Sequence, residues 1–536
     1  MRSIASRLYP RARENRLPSS HPGVVKARLA FLKAAGINFI LLQLLFLGLF
    51  SYIFGSLFQQ TNHTHNMSVL FVDYDAGGAI GDAVRAAYAS LRAPSFPTLV
   101  ERPPSQYPAT ADLREAVCQT DFWAAVYVTP GASDRLSAAL AGGTAAAGYN
   151  VSDVMAYFWN EALYPQVVDA SISANILLLS NTAKIDYSRG NGTGNITSVS
   201  TPSALTILAQ PWKLVSLDIQ PTPQGSRAIY NSVAIILVLI QEFFYLGIIN
   251  GLSTQFKLYS RIDPYRIALV RNLNSLAYTF VGSLCVTGAI WAFRSGWNVN
   301  ANQFVLSWIS LWLFAHVNFV VLDVFTIWLP PPFVPMALVA WISPNITSVL
   351  LPFPLSPAFY RVGYALPAHA LYQLLTDIWS GGCNPQLDWA LPVLFAWEIL
   401  GLLLSGLGVF RRCHFATIAE ERQAKEFDER LDAAVGLEIV KMQEMRKQSR
   451  IEREAEVEEQ KLLHPEGGEG PETPSRPTTR AEQEEEEEET QALKAQLANV
   501  ISRVNTRQRR EQEQADVSYG PAFDLAFSHP GDDESE

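Results

Sequence analysis

The sequence predicts an α-helical polytopic membrane protein with six transmembrane helices, an extracytoplasmic α/β domain between helices 1 and 2, and a partly disordered cytosolic tail. Three observations predict it. Five apolar segments, 229–252, 267–293, 304–329, 333–351 and 389–410, follow one another almost without a soluble interval. Each has about the 20 residues that an α-helix needs to cross a hydrocarbon core of roughly 30 Å. A sixth apolar segment, 34–58, stands apart near the N-terminus, and the stretch after it reads as alternating short strands and helices. No water inside a bilayer satisfies backbone N–H and C=O groups, so the apolar runs must be helical and packed together.

Composition adds little about partners. The formal charge of -10 comes largely from the last hundred residues, including the glutamate run 484–489, and carries no argument about the membrane block. No nucleic-acid partner is expected. Cys118, Cys285, Cys383 and Cys413 are too few and too scattered for a disulfide scaffold or a zinc site. A Cys118–Cys383 bridge outside the membrane is open but not expected.

In chain order, residues 1–33 form a basic cytosolic N-terminus, with Arg2, Arg7, Arg11, Arg13, Arg16, Lys26, Arg28 and Lys33 against the single acid Glu14. The apolar run 34–58 is too long, and its basic leader too extended, for a cleaved signal peptide. It reads as transmembrane helix 1, leaving the cytosol by the positive-inside rule. Residues 59–227 then form the extracytoplasmic α/β domain. Candidate N-glycosylation sites at Asn62, Asn66, Asn150, Asn191 and Asn195 agree with that side, whereas Asn345 lies within an apolar span. Within the domain, the spacing predicts strands over 68–74, 98–101 and 122–128. Helices are expected over 79–91, 109–117 and up to residue 140, giving a small mixed or parallel sheet. Residues 150–185 read as mainly helical and 187–203 as a loop.

Residues 228–410 form the five-helix block. Lys257, Arg261, Arg266 and Arg271 put the loop after the second helix in the cytosol, and Arg411-Arg412-Cys413-His414 anchors the end of the sixth there. Both termini are therefore expected to be cytosolic. Between helices 5 and 6, Leu371, Leu374, Leu375, Ile378 and Trp379 recur at helical spacing, a pattern for a short helix lying on the outer membrane face. Residues 411–463 read as a cytosolic polar helix, and 464–536 as a disordered acidic tail. A short amphipathic helix near Leu493, Leu497, Val500, Ile501 and Val504 suits a partner, an anionic leaflet or a weak self-associating coil.

One helix, an outer domain opening with VLFVDYDAGGAIGDAVRAAY, and five more helices resemble the membrane subunits of type-2 ABC exporters and their relatives. DLREAVCQTDFWAAVYVTPGASDRLSAAL is similar to that superfamily's helix, strand, Pro-Gly and helix. More narrowly, LAQPWKLVSLDIQPTP, QEFFY and RVGYALPAHALYQLLTDIW resemble the fungal nitrosoguanidine-resistance membrane protein family. The likeness covers about residues 34 to 412 and leaves out the tail. It implies a plasma-membrane role in tolerance to toxic compounds and in lipid organisation, with no catalytic residue to carry over.

No phosphate-binding G-x-x-x-x-G-K-[ST] loop, serine-hydrolase elbow, HExxH or CxxC occurs. The expectation is a protein that is not an enzyme, with no cofactor and no metal. Polar groups at membrane depth are the candidates for function, because an ionisable side chain there is costly unless it faces a cavity or a partner. They are Glu242 in the second helix, His316 and Asp323 on one face of the fourth with Trp312 and Phe319, and Glu398 in the sixth. Together they suggest a polar pathway between helices, suited to a cationic or polar amphiphile or to protons. The alternative is that they pair internally or snorkel to an interface. Ser275, Thr279, Ser283 and Thr287, like Gly401, Ser405 and Gly408, read as small residues that let helices approach closely. The function expected is permease-like export, or reduced entry, of toxic or alkylating amphiphiles. Its rivals are a non-transporting membrane organiser and a membrane subunit driven by a separate ATPase. Partners are accordingly the lipid bilayer, an amphiphilic small molecule, and a second copy of the chain or an ATPase.

Overall fold

The computed structural model describes residues 20–190 and 202–463, with Pro18, Ala495, Ala498, Ile501, Ser502 and Thr506 besides. Asn191, Asn195, the acidic run and most of the expected tail helix lie outside the described residues. Among the described residues, six helices are long and apolar enough to cross a membrane. The chain forms two compact units: one runs to Phe243 and resumes over Asn274–Leu403, and the other comprises Phe244–Leu273 and the chain from Leu404 onward.

The first span, α1, covers Pro22–Ser56 and starts earlier than its apolar core because Pro22 suits a first helical turn and His21 Nδ1 accepts the Gly23 N–H at 3.2 Å. Leu44 and Phe54 are 64% and 68% exposed, the condition of side chains that face lipid tails. Near its end, Tyr360 Oη donates to the Tyr52 carbonyl at 2.8 Å, with the two rings 5.1 Å apart.

The domain that follows is a mixed five-stranded sheet in the order β2-β1-β3-β4-β5. Its parts are β1 (Ser68–Asp73), α2 (Ala79–Leu91), β2 (Thr98–Glu101), α3 (Thr110–Cys118), β3 (Ala124–Val128), α4 (Ala132–Leu140) and α5 (Gly143–Gly148). Then come β4 (Met155–Trp159), α6 (Pro165–Val168), a π-helical turn, α7 (Ala174–Gly190), α8 (Pro202–Ala209) and β5 (Val215–Asp218). β1 pairs in parallel with β2 and β3, Val69 opposite Ala124, whereas β4 runs antiparallel to β3 and parallel to β5. A strand covered on both faces must be apolar throughout, and Val69 to Val72 are buried without interruption. Each such side chain contributes about 1.5–3 kcal/mol when fully buried. Leu70 and Val72 pack with Leu113 and Val117 of α3, while Arg85 of α2 lies over Phe71 on the opposite face.

The turn after β1 is held by its acids. Asp73 Oδ1 accepts the Asp75 N–H, its Oδ2 pairs with Arg85, and Asp75 Oδ2 accepts the Ser133 N–H at 2.9 Å. A Cβ at Gly81 would overlap the Asp73 carboxylate, so only glycine fits this close approach. The helix predicted over 79–91 and the strand over 98–101 appear at those bounds. Two readings are corrected. Part of 150–185, read as mainly helical, is strand β4, and residues 187–190 of the expected loop end helix α7; β5 stands where no strand is predicted, and short apolar runs such as MAYFW do not distinguish strand from helix by period alone.

The second to fifth spans are α9 (Val233–Gln255), α11 (Pro264–Ala292), α12 (Ala301–Trp328) and α13 (Val334–Leu350), with the short α10 (Leu258–Arg261) after the first of these. Asn300 and Gln303 cap α12 reciprocally, each side chain accepting the other's N–H. α14 (Pro367–Trp379) corrects another reading. Leu371, Leu374, Leu375 and Trp379 are buried in the protein, not laid on the membrane face, and α14 packs against α12 and α13. Trp379 Nε1 donates to Ser307 Oγ at 3.0 Å there. The sixth span opens α15, a single helix over Leu387–Leu463, so the span and the polar helix expected after it are continuous; the residues from Arg411 onward are helix formers with no proline to stop them. In the second unit, Arg271 and Arg412 both donate to Asn250 Oδ1, at 2.7 and 3.0 Å, and to the Tyr259 hydroxyl.

The bridge not expected from the sequence is present: Cys118, ending α3, is bonded to Cys383 in the segment between the fifth and sixth spans. Around it, Asn160 Nδ2 donates to the Cys383 carbonyl at 3.0 Å and Gln386 Nε2 to Thr120 Oγ1 at 3.2 Å. The domain and this segment are therefore one packed body.

Where the domain leads into the second span, Arg227 pairs with both Glu161 and Asp169. Asp218 Oδ1 accepts the Glu161 and Gln220 N–H groups, each at 3.1 Å. Burial, with a smaller contribution from Asp169, pushes the Asp218 carboxyl up to about 7 from an ordinary 3.8. The folded state thus keeps this proton where the unfolded chain gives it up, and stability is lost as pH rises from about 3.8 to about 7. Asp218→Asn, which keeps the accepting oxygen, is expected to unfold about 1–2 kcal/mol harder than the native protein at about pH 8, after discounting for partial exposure, and equally at about pH 4. Thermal unfolding in detergent at both pH values checks it.

Candidate functional site

Four polar groups at membrane depth were expected to line a pathway, and the structure joins two of them. His316 on α12 and Glu398 on α15 meet at 2.6 Å between Nδ1 and Oε1, with side chains 3% and 12% exposed. The other ring nitrogen, Nε2, lies 3.0 Å from Ser275 Oγ on α11. Three spans therefore contribute one side chain each to a buried Ser275–His316–Glu398 chain.

Local packing sets this distance. Gly401 stands one turn beyond Glu398 and Val320 one turn beyond His316, on the same faces. A Cβ at Gly401 would overlap the Val320 side chain, so α15 approaches α12 as closely as a glycine allows. On the α11 side, Trp308 and Trp312 of α12 donate to the Phe280 and Leu276 carbonyls at 2.9 and 3.1 Å. The His316 and Phe319 rings stack at 6.4 Å. A carboxylate on Nδ1 favours the neutral tautomer that carries its proton there, leaving Nε2 to accept the Ser275 hydroxyl; the protonated ring donates to both. Glu398 Oε2 is buried without a hydrogen-bond partner among the described residues.

The remaining two candidates sit elsewhere. Asp323 is fully buried seven residues, about two turns, further along α12, where Thr326 Oγ1 lies 3.3 Å from its Oδ1. Glu242 on α9 is buried, its Oε2 without a hydrogen-bond partner among the described residues. Ser275 is the residue that sequence reasoning missed. It was assigned to packing with Thr279, Ser283 and Thr287, and Thr279 Oγ1 does donate to the Ser275 carbonyl at 2.8 Å. Nothing in that serine and threonine row distinguished the member facing a histidine. No group of three or more potential metal ligands occurs among the described residues. Of the sequons described, Asn62, Asn66 and Asn150 are exposed, with Asn66 Nδ2 donating to the Pro354 carbonyl at 3.0 Å. Asn345 is buried, its Oδ1 accepting the Ala368 N–H.

Residues 38–403 match a family model described as a protein of unknown function, DUF3533. This chain belongs to the DUF3533 family. The match begins inside the first span and ends inside the sixth, so the DUF3533 region holds the α/β domain, the bridge and all three members of the buried chain. No solved structure matches the protein.

Proposed function

We propose that this DUF3533 protein is a permease-like membrane protein in which the Ser275–His316–Glu398 chain carries protons in exchange for toxic or alkylating amphiphiles, removing them or limiting their entry. The observation that carries this reading is the buried histidine bonded on both nitrogens across three spans. Placing an ionisable pair at that depth is costly, and proton relays are among the functions that retain such groups. The resemblance to nitrosoguanidine-resistance proteins supports tolerance to toxic compounds, and the basic N-terminus supports cytosolic termini in a plasma-membrane protein. An extracytoplasmic α/β domain is further favoured by the Cys118–Cys383 bridge, because disulfides persist in oxidising compartments.

The test uses sealed vesicles containing only the purified protein. Movement of a labelled amphiphile should depend on a proton gradient and fall to background in Glu398→Gln. Movement that ignores the gradient would defeat the proton-coupled reading, and no movement at all would favour an organiser or a missing ATPase.

One observation favours a second reading. Serine, histidine and carboxylate stand in the order used by serine hydrolases, with hydroxyl to Nε2 and carboxylate to Nδ1. Against it, Ser275 is fully buried within a continuous helix, whose amides are committed to the helix rather than to an oxyanion hole. We therefore propose no enzymatic activity; labelling of Ser275 by a fluorophosphonate would reverse that choice.

A further inference from the structure

A separate cavity of about 220 Å³ lies between the α/β domain and the segment joining the fifth and sixth spans. It is larger than the roughly 150 Å³ that admits benzene. Its walls are rich in rings: Phe122, Trp123 and Tyr164 from the domain, and Phe353, Tyr364 and Trp389 from the segment and the start of α15. His369 completes the aromatic wall, stacked 5.6 Å from Trp389 and tilted against Phe353 at 4.4 Å. Among the described residues no Asp, Glu, Lys or Arg lines the cavity, and burial lowers the His369 pKa to about 4, leaving that ring uncharged at neutral pH.

Several of the polar lining groups are engaged with one another. Gln373 Nε2 donates to the Tyr164 hydroxyl at 3.4 Å, Asn384 Nδ2 to Gln373 Oε1 at 2.9 Å, and Trp389 Nε1 to Gln386 Oε1 at 2.6 Å. An anion would find no counter-charge here, and the side-chain amides offer a hydrogen-bonding guest only groups already bonded within the wall. Ring faces remain, and they attract a cation that has no hydrogen-bonding demand of its own. Height in the membrane agrees. Pro352 follows the end of α13, and Trp389 stands in the first turn of α15, so the cavity opens where the spans leave the hydrocarbon, at head-group level.

We propose that this aromatic cavity binds a quaternary ammonium group, presented either by a choline lipid of the adjoining leaflet or by a free cationic amphiphile. The proposal does not rest on proton-coupled transport, since binding is measured with no gradient. Protein in nanodiscs of phosphatidylglycerol is titrated with choline and with neohexyl alcohol, its uncharged isostere in which carbon replaces nitrogen, following tryptophan fluorescence. Choline should bind at least about fivefold more tightly than the alcohol. Tyr364→Leu and Trp389→Leu should each weaken choline about tenfold, while Tyr364→Phe and Trp389→Phe stay within about twofold of native. If a leucine variant does not fold, the comparison of choline with its isostere on the native protein still decides. Equal binding of the two probes, no binding of either, or folded leucine variants with native affinity would overturn the proposal. Repeating the titration in phosphatidylcholine nanodiscs separates the sources: weakened choline binding there identifies the lipid head group as occupant, and unchanged binding identifies a free amphiphile.

Discussion

Replacing Cys118 and Cys383 together by serine is expected to lower the unfolding midpoint of the α/β domain by roughly 10 °C. The bridge joins residues 265 apart, and for a free chain so long a loop would favour a large entropic stabilisation. Four spans intervene, however, and helices held in a bilayer or micelle do not become random coil. The effective loop is much shorter than the sequence separation, which leaves about 2–4 kcal/mol. The hydrogen bonds from Asn160 to Cys383 and from Gln386 to Thr120 remain in the double variant, so the segment should loosen without leaving the domain. Thermal unfolding of native and variant protein in the same detergent checks the shift. A midpoint unmoved in the variant would mean that non-covalent packing alone holds the segment.

Removing either member of the His316–Glu398 pair should be more damaging than removing both. Glu398→Leu leaves an imidazole, and His316→Leu a carboxylate, buried without its partner, at a cost of about 3–5 kcal/mol. The double variant His316→Leu with Glu398→Leu leaves no orphaned charge, and its stability should return to within about 1–2 kcal/mol of native. Compound tolerance, by contrast, should be lost in all three. This separates a relay from a structural pair, because a structural role predicts that tolerance returns with stability. Ser275→Ala should cost about 1 kcal/mol, the scale of one hydrogen bond, and its effect on tolerance measures whether the hydroxyl takes part in proton movement. Surface expression, unfolding midpoint and tolerance measured on the same four variants are sufficient.

Most of the architecture is legible in the sequence. Long apolar runs announce themselves, since a span must be apolar over its whole length, and all six helices lie where those runs are. The first half of the domain was equally readable, because VLFVD, the Asp and glycine turn and the alternating face of 79–91 carry strong local signals. Legibility failed where a residue's partner lies far away in sequence. β4 and β5 are short and take their hydrogen bonds from neighbouring strands, so their own residues do not separate them from helix or loop. The short helix ending at Trp379 was recognised as amphipathic, yet an apolar stripe does not state whether protein or lipid will cover it. Of the candidate site, His316 and Glu398 were singled out as costly at membrane depth; their meeting with each other and with Ser275 was not readable.

By itself, the sequence determined the class of this protein: the number of spans, a domain between the first two, and the few ionisable groups that the membrane interior must accommodate. These follow from local composition, because lipid penalises every exposed polar group residue by residue. Only the tertiary structure decided which of those groups meet, that Cys118 reaches Cys383, and that aromatic residues from two distant parts of the chain enclose a cavity. Such pairings depend on how helices and strands pack across hundreds of residues, where a close approach like that of Gly401 to Val320 selects one partner among several equally polar ones.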